Sequence, residues 1–311
     1  MSHSSLRVRT SATVANVTCG FDSLGYAISG LYDTLLVKSK NSSGINITIN
    51  GINAKGIPSN PKKNTAGRAV LSLLNKLGIN QGFDLHIEKG IPNGGGLGSS
   101  AASAAAAIFG VNNLLGNPLD LNDLLIHGAE GERVVSGDAH ADNIAPALFG
   151  GITLIRGRNK IDVIELPIPS NLYSTVVLPD VIIKTMEARK ILPNQIPLND
   201  AIYQARNLAT FIHALHISDF DLLGSCMEDL FAEPIRSNLI PYYNEIYKIS
   251  MNEGAIGFGI SGSGPATFAL CSSKETALRV GSSMSKVLIN NGIECLTFTS
   301  HINNNSTVIL D

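Results

Sequence analysis

The stretch IPNGGGLGSSAASAAAA, residues 91–107, carries the plainest chemistry in the chain. Glycine lets a backbone approach a ligand closely and take positive φ. Ser99 and Ser100 stand where a helix would begin, their hydroxyls placed to cap its N–H groups. Free N–H groups there, together with the helix dipole, attract an anion. The segment is thus a phosphate cradle or a tight strand-to-helix connection. No lysine follows the last glycine, so it is not a Walker A loop. Gly94, Gly96 and Gly98 also lack the dinucleotide-binding spacing. Charge on a bound phosphate must then be met by backbone dipoles and a metal ion. A hydroxyl from Ser99 or Ser100 suits Mg2+, which takes few protein oxygens and keeps waters.

Other reactive groups are scattered. Residues 130–143 hold Glu130, Glu132, His140, Asp142 and Asn143. Either glutamate suits a Mg2+ ligand, and His140 suits a polar or anionic substrate group. The HExxH spacing of zinc proteases is missing. Arg189, within TMEARKILP, and Arg236, within EPIR, each lie beside a proline. Guanidinium forks grip carboxylates in bidentate fashion, although each arginine alone reads as a surface ion pair. Asn16 and Asp22 flank a Cys-Gly pair in a small-residue stretch that reads as a capped turn, with Asp22 or Ser23 opening a helix. Cys19 in that turn is either a small packing residue or partly exposed in the cleft. A second glycine-rich loop, residues 257–267, either packs on the first and shapes it or is only a tight connection.

The elements that must hold these groups follow from periodicity. Residues 6–9, 35–38, 45–49 and 83–88 read as strands, and 150–155 closes the first half. Residues 65–78 show apolar positions at helical spacing, with Asn64 or Thr65 as N-cap and Gly78 as C-cap. An alanine-rich helix follows the glycine loop, and another spans 121–135. A charged turn near 156–170 suggests a boundary, giving domains 1–160 and 161–311. Beyond it come strands at 173–178 and 181–184, helices across 198–216, 218–231, 239–253 and 274–291, and a last strand at 293–300. The second half reads as an antiparallel α+β domain.

Composition narrows the function. A net charge of −2 gives no electrostatic case for nucleic acid. There is no apolar run long enough for a membrane span and no signal-peptide core at the start. Cys19, Cys226, Cys271 and Cys295 show no CxxC spacing, which fits a reduced, cytoplasmic setting better than a zinc or disulfide framework.

Together these pieces resemble one family. The PxxxGLGSSAAS loop (Pro92 to Ser103), the early ANxxxGFDSLG segment (Ala15 to Gly25) and the late GISGSGPA loop (Gly259 to Ala266) are similar to the three signature motifs of the GHMP kinases. GFDSLG, SGxxHxDN (Ser136 to Asn143) and the pair TxEARKILP and EPxR look like the homoserine kinase branch. The resemblance covers nearly the whole chain. It implies an α+β, two-domain fold: an N-terminal domain like the second domain of ribosomal S5, and a ferredoxin-like C-terminal domain. It implies transfer of phosphate from ATP, with Mg2+, to the side-chain hydroxyl of L-homoserine in threonine biosynthesis. Dimerisation is common in that family, so a homodimer is the assembly to look for.

The same resemblance implies roles. Pro92, Asn93, Gly94, Gly95, Gly96, Leu97, Gly98, Ser99 and Ser100 wrap the triphosphate, and Asn64 sits where the family contacts adenine. Ser100 (or Ser99) and Glu132 match the Mg2+ ligands, with Glu130 as runner-up. Asn16, Asp22, His140, Arg189 and Arg236 hold homoserine: the arginines its carboxylate, Asp22 its ammonium or hydroxyl, Asn16 its hydroxyl. Thr185 lies close by. Several relatives carry a catalytic aspartate where Asn143 stands. An amide cannot take a proton, so rate must come from positioning and charge stabilisation. Asp22 and Asp142 remain the alternative proton acceptors. Many relatives read Asn-Leu-Gly-Pro-Gly-Phe-Asp where this chain has Asn16-Val17-Thr18-Cys19-Gly20-Phe21-Asp22. Rival readings are a GHMP kinase for another alcohol, whose substrate lacks paired amino-acid charges, and a catalytically silent relative, which needs no metal ligand.

Overall fold

The computed structural model describes residues 4–157 and 161–310. Two long strands, β1 (Ser5–Ala15) and β2 (Leu24–Lys40), form an antiparallel pair. Strand β3 (Ile45–Gly51), helix α1 (Thr65–Leu77) and strand β4 (Gly82–Lys89) follow, and β4 lies between β2 and β3. Helix α1 carries Ala66, Ala69, Val70, Leu73 and Leu74 on one buried stripe. The Asn64 side chain accepts the Gly67 N–H, and Gly78 ends the helix in the left-handed region, as the sequence predicts.

Helix α2 (Ser99–Leu114) is apolar on nearly every side because it runs through the middle of the domain. Alanines keep it thin. At Gly110 even a Cβ would meet Val37 at 2.7 Å, so the helix lies directly on β1 and β2. Helix α3 (Leu121–Ser136) starts on an Asp120 cap, and α4 (Ile144–Phe149) follows it. Strands β5 (Ile152–Arg156) and β6 (Asp162–Leu166) extend the same sheet, β5 pairing with the start of β2. The charged turn thus connects two strands of one sheet. Residues 158–160, at the expected boundary, lie outside the described residues.

The second half is built on an antiparallel sheet of β7 (Tyr173–Pro179), β8 (Gly257–Ile260), β9 (Thr267–Cys271) and β10 (Cys295–His301), in the order β10-β7-β9-β8. That is the ferredoxin-like strand order. The helices are α5 (Thr185–Lys190), α6 (Leu198–Ile217), α7 (Phe220–Ser225), α8 (Glu233–Arg236), α9 (Tyr243–Asn252) and α10 (Lys274–Asn290). A last short strand, β11 (Val308–Ile309), returns to pair with β1 of the first sheet. On the way, Asn303 exchanges backbone bonds with Ala27 and Gly151 and donates its amide to Ser11. Among the described residues no helix is long and apolar enough to cross a membrane.

Several expected elements are different. Residues 181–184 form no strand; they run extended into α5. The helix expected over 218–231 stops at Ser225, and the Asp229 carboxylate then turns the chain by accepting the N–H groups of Phe231, Ala232 and Glu233. The helix expected from 239 starts at Tyr243, because Pro241 and a left-handed Tyr242 delay it. No helix opens at Asp22 or Ser23. Asn16, Val17, Thr18 and Asp22 all have positive φ, which folds the turn into a tight knot ahead of β2.

One buried ion pair sets the entrance to the glycine loop. Asp33 of β2 pairs with Lys89 at the end of β4, both nearly inaccessible to water. The Lys89 ammonium also donates to the Ser99 carbonyl and the Ser103 hydroxyl, each at 2.8 Å. Asp33 Oδ1 accepts the N–H groups of Gly90 and Ile91, each at 3.0 Å, and its Oδ2 accepts Ser103 Oγ at 2.9 Å. Burial pulls the Lys89 pKa down, and Asp33 works against that fall. Lys89→Met should therefore cost about 3–5 kcal/mol in urea unfolding, because it strands a buried carboxylate. Adding Asp33→Asn should recover part of the loss, since the neutral amide still accepts from Gly90 and Ile91. A single variant as stable as wild type would contradict this role.

Candidate active site

The glycine loop takes its shape from the second one. Gly94, Gly96 and Gly98 sit at φ of 75°, 79° and 65°. Ser261 Oγ donates to the Gly96 carbonyl at 2.6 Å, and the Ala266 N–H donates to the Gly95 carbonyl at 3.2 Å. A side chain at Gly96 would collide with the Ser261 carbonyl, whereas a Cβ at Gly94 would meet nothing within 4 Å. The loop is thus pinned on one side and open on the other. The two serine hydroxyls do not cap α2 as expected. Gly98 occupies the cap position in the left-handed region and supplies no side-chain cap to the first N–H groups. Ser99 Oγ donates to the Ile91 carbonyl at 2.9 Å, and Ser100 Oγ to Glu132 at 3.0 Å. The helix N-terminus is left without a side-chain cap, facing the loop.

Three cavities adjoin. The middle one, about 530 Å³, is lined by Asn93 to Ser100, Glu132, Asn143 and α5. It shares Asn93, Ser100 and Val135 with a second, more apolar pocket walled by Ile49, Ile57, Pro58 and Ile87. Asn64 is at this second pocket, but its amide is already engaged: Oδ1 with the Gly67 N–H and Nδ2 with the Pro58 carbonyl at 2.9 Å. It shapes the wall rather than presenting a free amide. Pro92 is buried and Leu97 belongs to the core, so Leu97 reaches the cleft only through its backbone.

The third cavity gathers Asn16, Asp22, His140, Asp142, Asn143, Thr185, Arg189 and Arg236, from segments far apart in sequence. Asp22 pairs with Arg189 at 2.8 Å and lies 3.8 Å from His140. Arg236 is almost fully buried and donates to the carbonyls of Ala188 and Gly262, at 3.2 and 3.1 Å. Both guanidinium groups lie over the Phe21 ring, at 5.3 and 5.7 Å. Asn16 is occupied: Nδ2 donates to the Gly262 carbonyl at 2.8 Å, and Oδ1 accepts the Asp22 N–H at 3.0 Å. It places Asp22 and ties the early segment to the late loop. Thr185 Oγ1 lies 3.4 Å from Ser263 Oγ. Burial, then the Asp22 charge, raises Asp142 to about 7, while burial lowers His140.

Glu132, Asn143, Thr185, Gly262 and Ser263 line both the middle and the third cavity. Glu132 is buried, which raises its carboxyl to about 7 against the opposing hydrogen bond from Ser100. Glu130, in contrast, is outside this cleft, held by Arg68 and Arg133 at 2.7 Å each and kept below the usual carboxylate range, chiefly by the Arg68 bond. Among the described residues no three His, Cys, Asp or Glu side chains cluster to cage a metal. A carboxylate and a hydroxyl, both hard oxygens at an uncapped glycine loop, are nonetheless a donor set that fits Mg2+ shared with phosphates and waters.

Sequence reasoning missed several of these residues. Thr13 donates to Asn143 Oδ1 at 2.7 Å and so fixes the amide's orientation. Nothing in the strand pattern marks Thr13. Phe21, Gly262 and Ser263 fall inside the quoted motifs, where they read as filler. Cys19 is buried against Cys226, which supports the packing reading and not exposure in the cleft; the knotted turn carries it inward.

Comparison with known proteins agrees with this arrangement. The model described as GHMP kinases N terminal domain matches residues 64–151, and GHMP kinases C terminal matches residues 211–290. A homoserine kinase of Chlorobium phaeobacteroides (strain BS1) is 44% identical over 284 residues, spanning 88% of this chain and 89% of its own length. One from Methanococcus vannielii is 39% identical over 266 residues, 85% and 87% of the two chains. The crystal structure of homoserine kinase from Cytophaga hutchinsonii has a TM-score of 0.94 at 40% identity, covering 100% of this chain and 98% of that one. The mevalonate kinase of L. major, at 17% identity and a TM-score of 0.71 over 97% of this chain and 99% of its own, shares the fold. The chain belongs to the GHMP kinases, in the homoserine kinase family.

Proposed function

We propose that this chain transfers the γ-phosphoryl group of ATP to the side-chain hydroxyl of L-homoserine, giving O-phospho-L-homoserine for threonine biosynthesis. The observation that carries the reading is the Asp22–Arg189 pair, with Arg236 beside it, in a pocket that meets the phosphate cleft at Asn143 and Thr185. An amino-acid head group is a zwitterion. Its carboxylate takes the guanidinium groups of Arg189 and Arg236, and its ammonium takes Asp22. The side chain then runs toward the seam between the two cavities.

ATP would lie with its base in the apolar pocket and its phosphates on the loop from Asn93 to Ser100. Glu132 and Ser100 would hold Mg2+, which offsets phosphate charge when bound. The acceptor oxygen forms a bond to phosphorus as the bond to the leaving oxygen of ADP breaks, and the hydroxyl proton is released to solvent. Thr13 occupies Asn143 Oδ1, so the amide offers Nδ2 as a donor at the seam. Asn143 thus orients oxygens and takes no proton. A loose transition state needs little early deprotonation, which makes positioning sufficient. We place the enzyme in the cytoplasm on its scattered cysteines.

Three measurements test this. Purified protein with Mg-ATP should release ADP with L-homoserine and not with mevalonate, shikimate, galactose or L-threonine; turnover with another alcohol alone would move the substrate assignment. Arg236→Ala should raise the homoserine KM about tenfold or more and leave the ATP KM within about twofold, because only one fork is lost. A matching loss of ATP affinity would put Arg236 elsewhere. At saturating Mg-ATP, kcat/KM for homoserine should fall as the pH drops through about 7, where Asp142 gains its proton in the enzyme that has yet to bind homoserine. Asp142→Asn should flatten that limb, and an unchanged profile would remove Asp142 from the substrate pocket.

A further inference from the structure

The glycine loop brings no lysine, yet phosphoryl transfer handles a highly charged triphosphate, with charge spread over the equatorial oxygens of the moving group and building on the leaving oxygen. The cations of the neighbouring pocket, Arg189 and Arg236, line that pocket and not the phosphate cleft. Lys89 is spent on Asp33 beneath the loop. Helix α5 offers another source. Its residues Thr185 and Arg189, four apart, line the acceptor pocket. Met186, Glu187 and Lys190 of the same helix line the phosphate cleft together with Gly94 to Gly98. The cleft has one further lysine, Lys184, which is held by Glu187 at 3.1 Å. Lys190 is exposed, and among the described residues no carboxylate pairs with it.

We propose that Lys190 is the cation that meets the terminal phosphates of ATP, supplying from α5 the charge that other phosphate loops carry within themselves. The proposal rests on the kinase reading above. One short helix then serves both reactants: Arg189 holds the acceptor and Lys190 the donor. A protonated lysine here gives up no proton; it attracts the bound triphosphate and the charge that develops on the leaving oxygen.

The test compares wild type, Lys190→Met and Lys190→Arg as full-length proteins. Titration with ATP and with AMP, in Mg2+ and without acceptor, reads the contact directly. Lys190→Met should weaken ATP binding and leave AMP binding unchanged, since AMP lacks the outer phosphates. Its kcat should fall about 10- to 100-fold, less than for a fully enclosed donor because Lys190 is exposed. The homoserine KM should stay within about twofold. Lys190→Arg should retain most of both. Unchanged ATP affinity in Lys190→Met, or equal losses for ATP and AMP, would overturn the assignment. If wild type phosphorylates a different alcohol, the substrate reading fails alone, and the nucleotide titrations still judge Lys190.

Discussion

Everything at this site hangs on the Asp33–Lys89 pair. A loop rich in positive-φ glycine is costly to order, since glycine loses the most freedom on folding. The pair holds the loop at both ends. Asp33 grips the backbone where the strand leaves, at Gly90 and Ile91, and Lys89 grips it where the helix begins, at Ser99. All three ammonium donors are used, and the carboxylate is saturated on both oxygens. Such a buried pair is tolerable only when its remaining lone pairs and protons are satisfied in this way. Its benefit is geometric: the loop's ends cannot drift, so its open face stays where Gly94 leaves room.

The second support comes from the other domain. Ser261 and Ala266 bond to Gly96 and Gly95, and Asn16 reaches across to Gly262. Behind these contacts one apolar cluster joins Val14, Leu24, Tyr26 and Leu97 of the first half to Val176, Leu178, Phe211 and Phe268 of the second. Tyr26 also meets Ser174 at 2.7 Å. A large apolar seam of this kind resists the free relative motion that polar domain interfaces permit. The acceptor pocket depends on it, because Asp22 and His140 come from one side and Arg189 and Arg236 from the other.

Local features were legible in the sequence. Asn64, the apolar stripe of α1 and Gly78 mark a helix unambiguously, and the glycine spacing marks a loop that comes close to something. What was hidden is what lies far along the chain or around a helix. Glu130 and Glu132 look alike in a string, but residues two apart do not share a helix face. One meets Ser100 in the cleft, and the other meets two arginines outside it. The Asp33–Lys89 contact joins strands whose pairing no local pattern specifies. Asn16 shows the same limit: its type suits a substrate contact, while both ends of its amide serve the fold. The helix expected over 218–231 failed because the Asp229 carboxylate offers the backbone a competing partner, which periodicity does not register.

The return of the chain's last segment to the first sheet has a consequence for synthesis. Asn303 bridges Ala27, Gly151 and Ser11, Thr307 donates to Ala147, and β11 covers the edge of β1. These residues are made after the whole of the second sheet. The half that holds the glycine loop is begun first but closed only after the second sheet has been made, with the edge of β1 open in the interval.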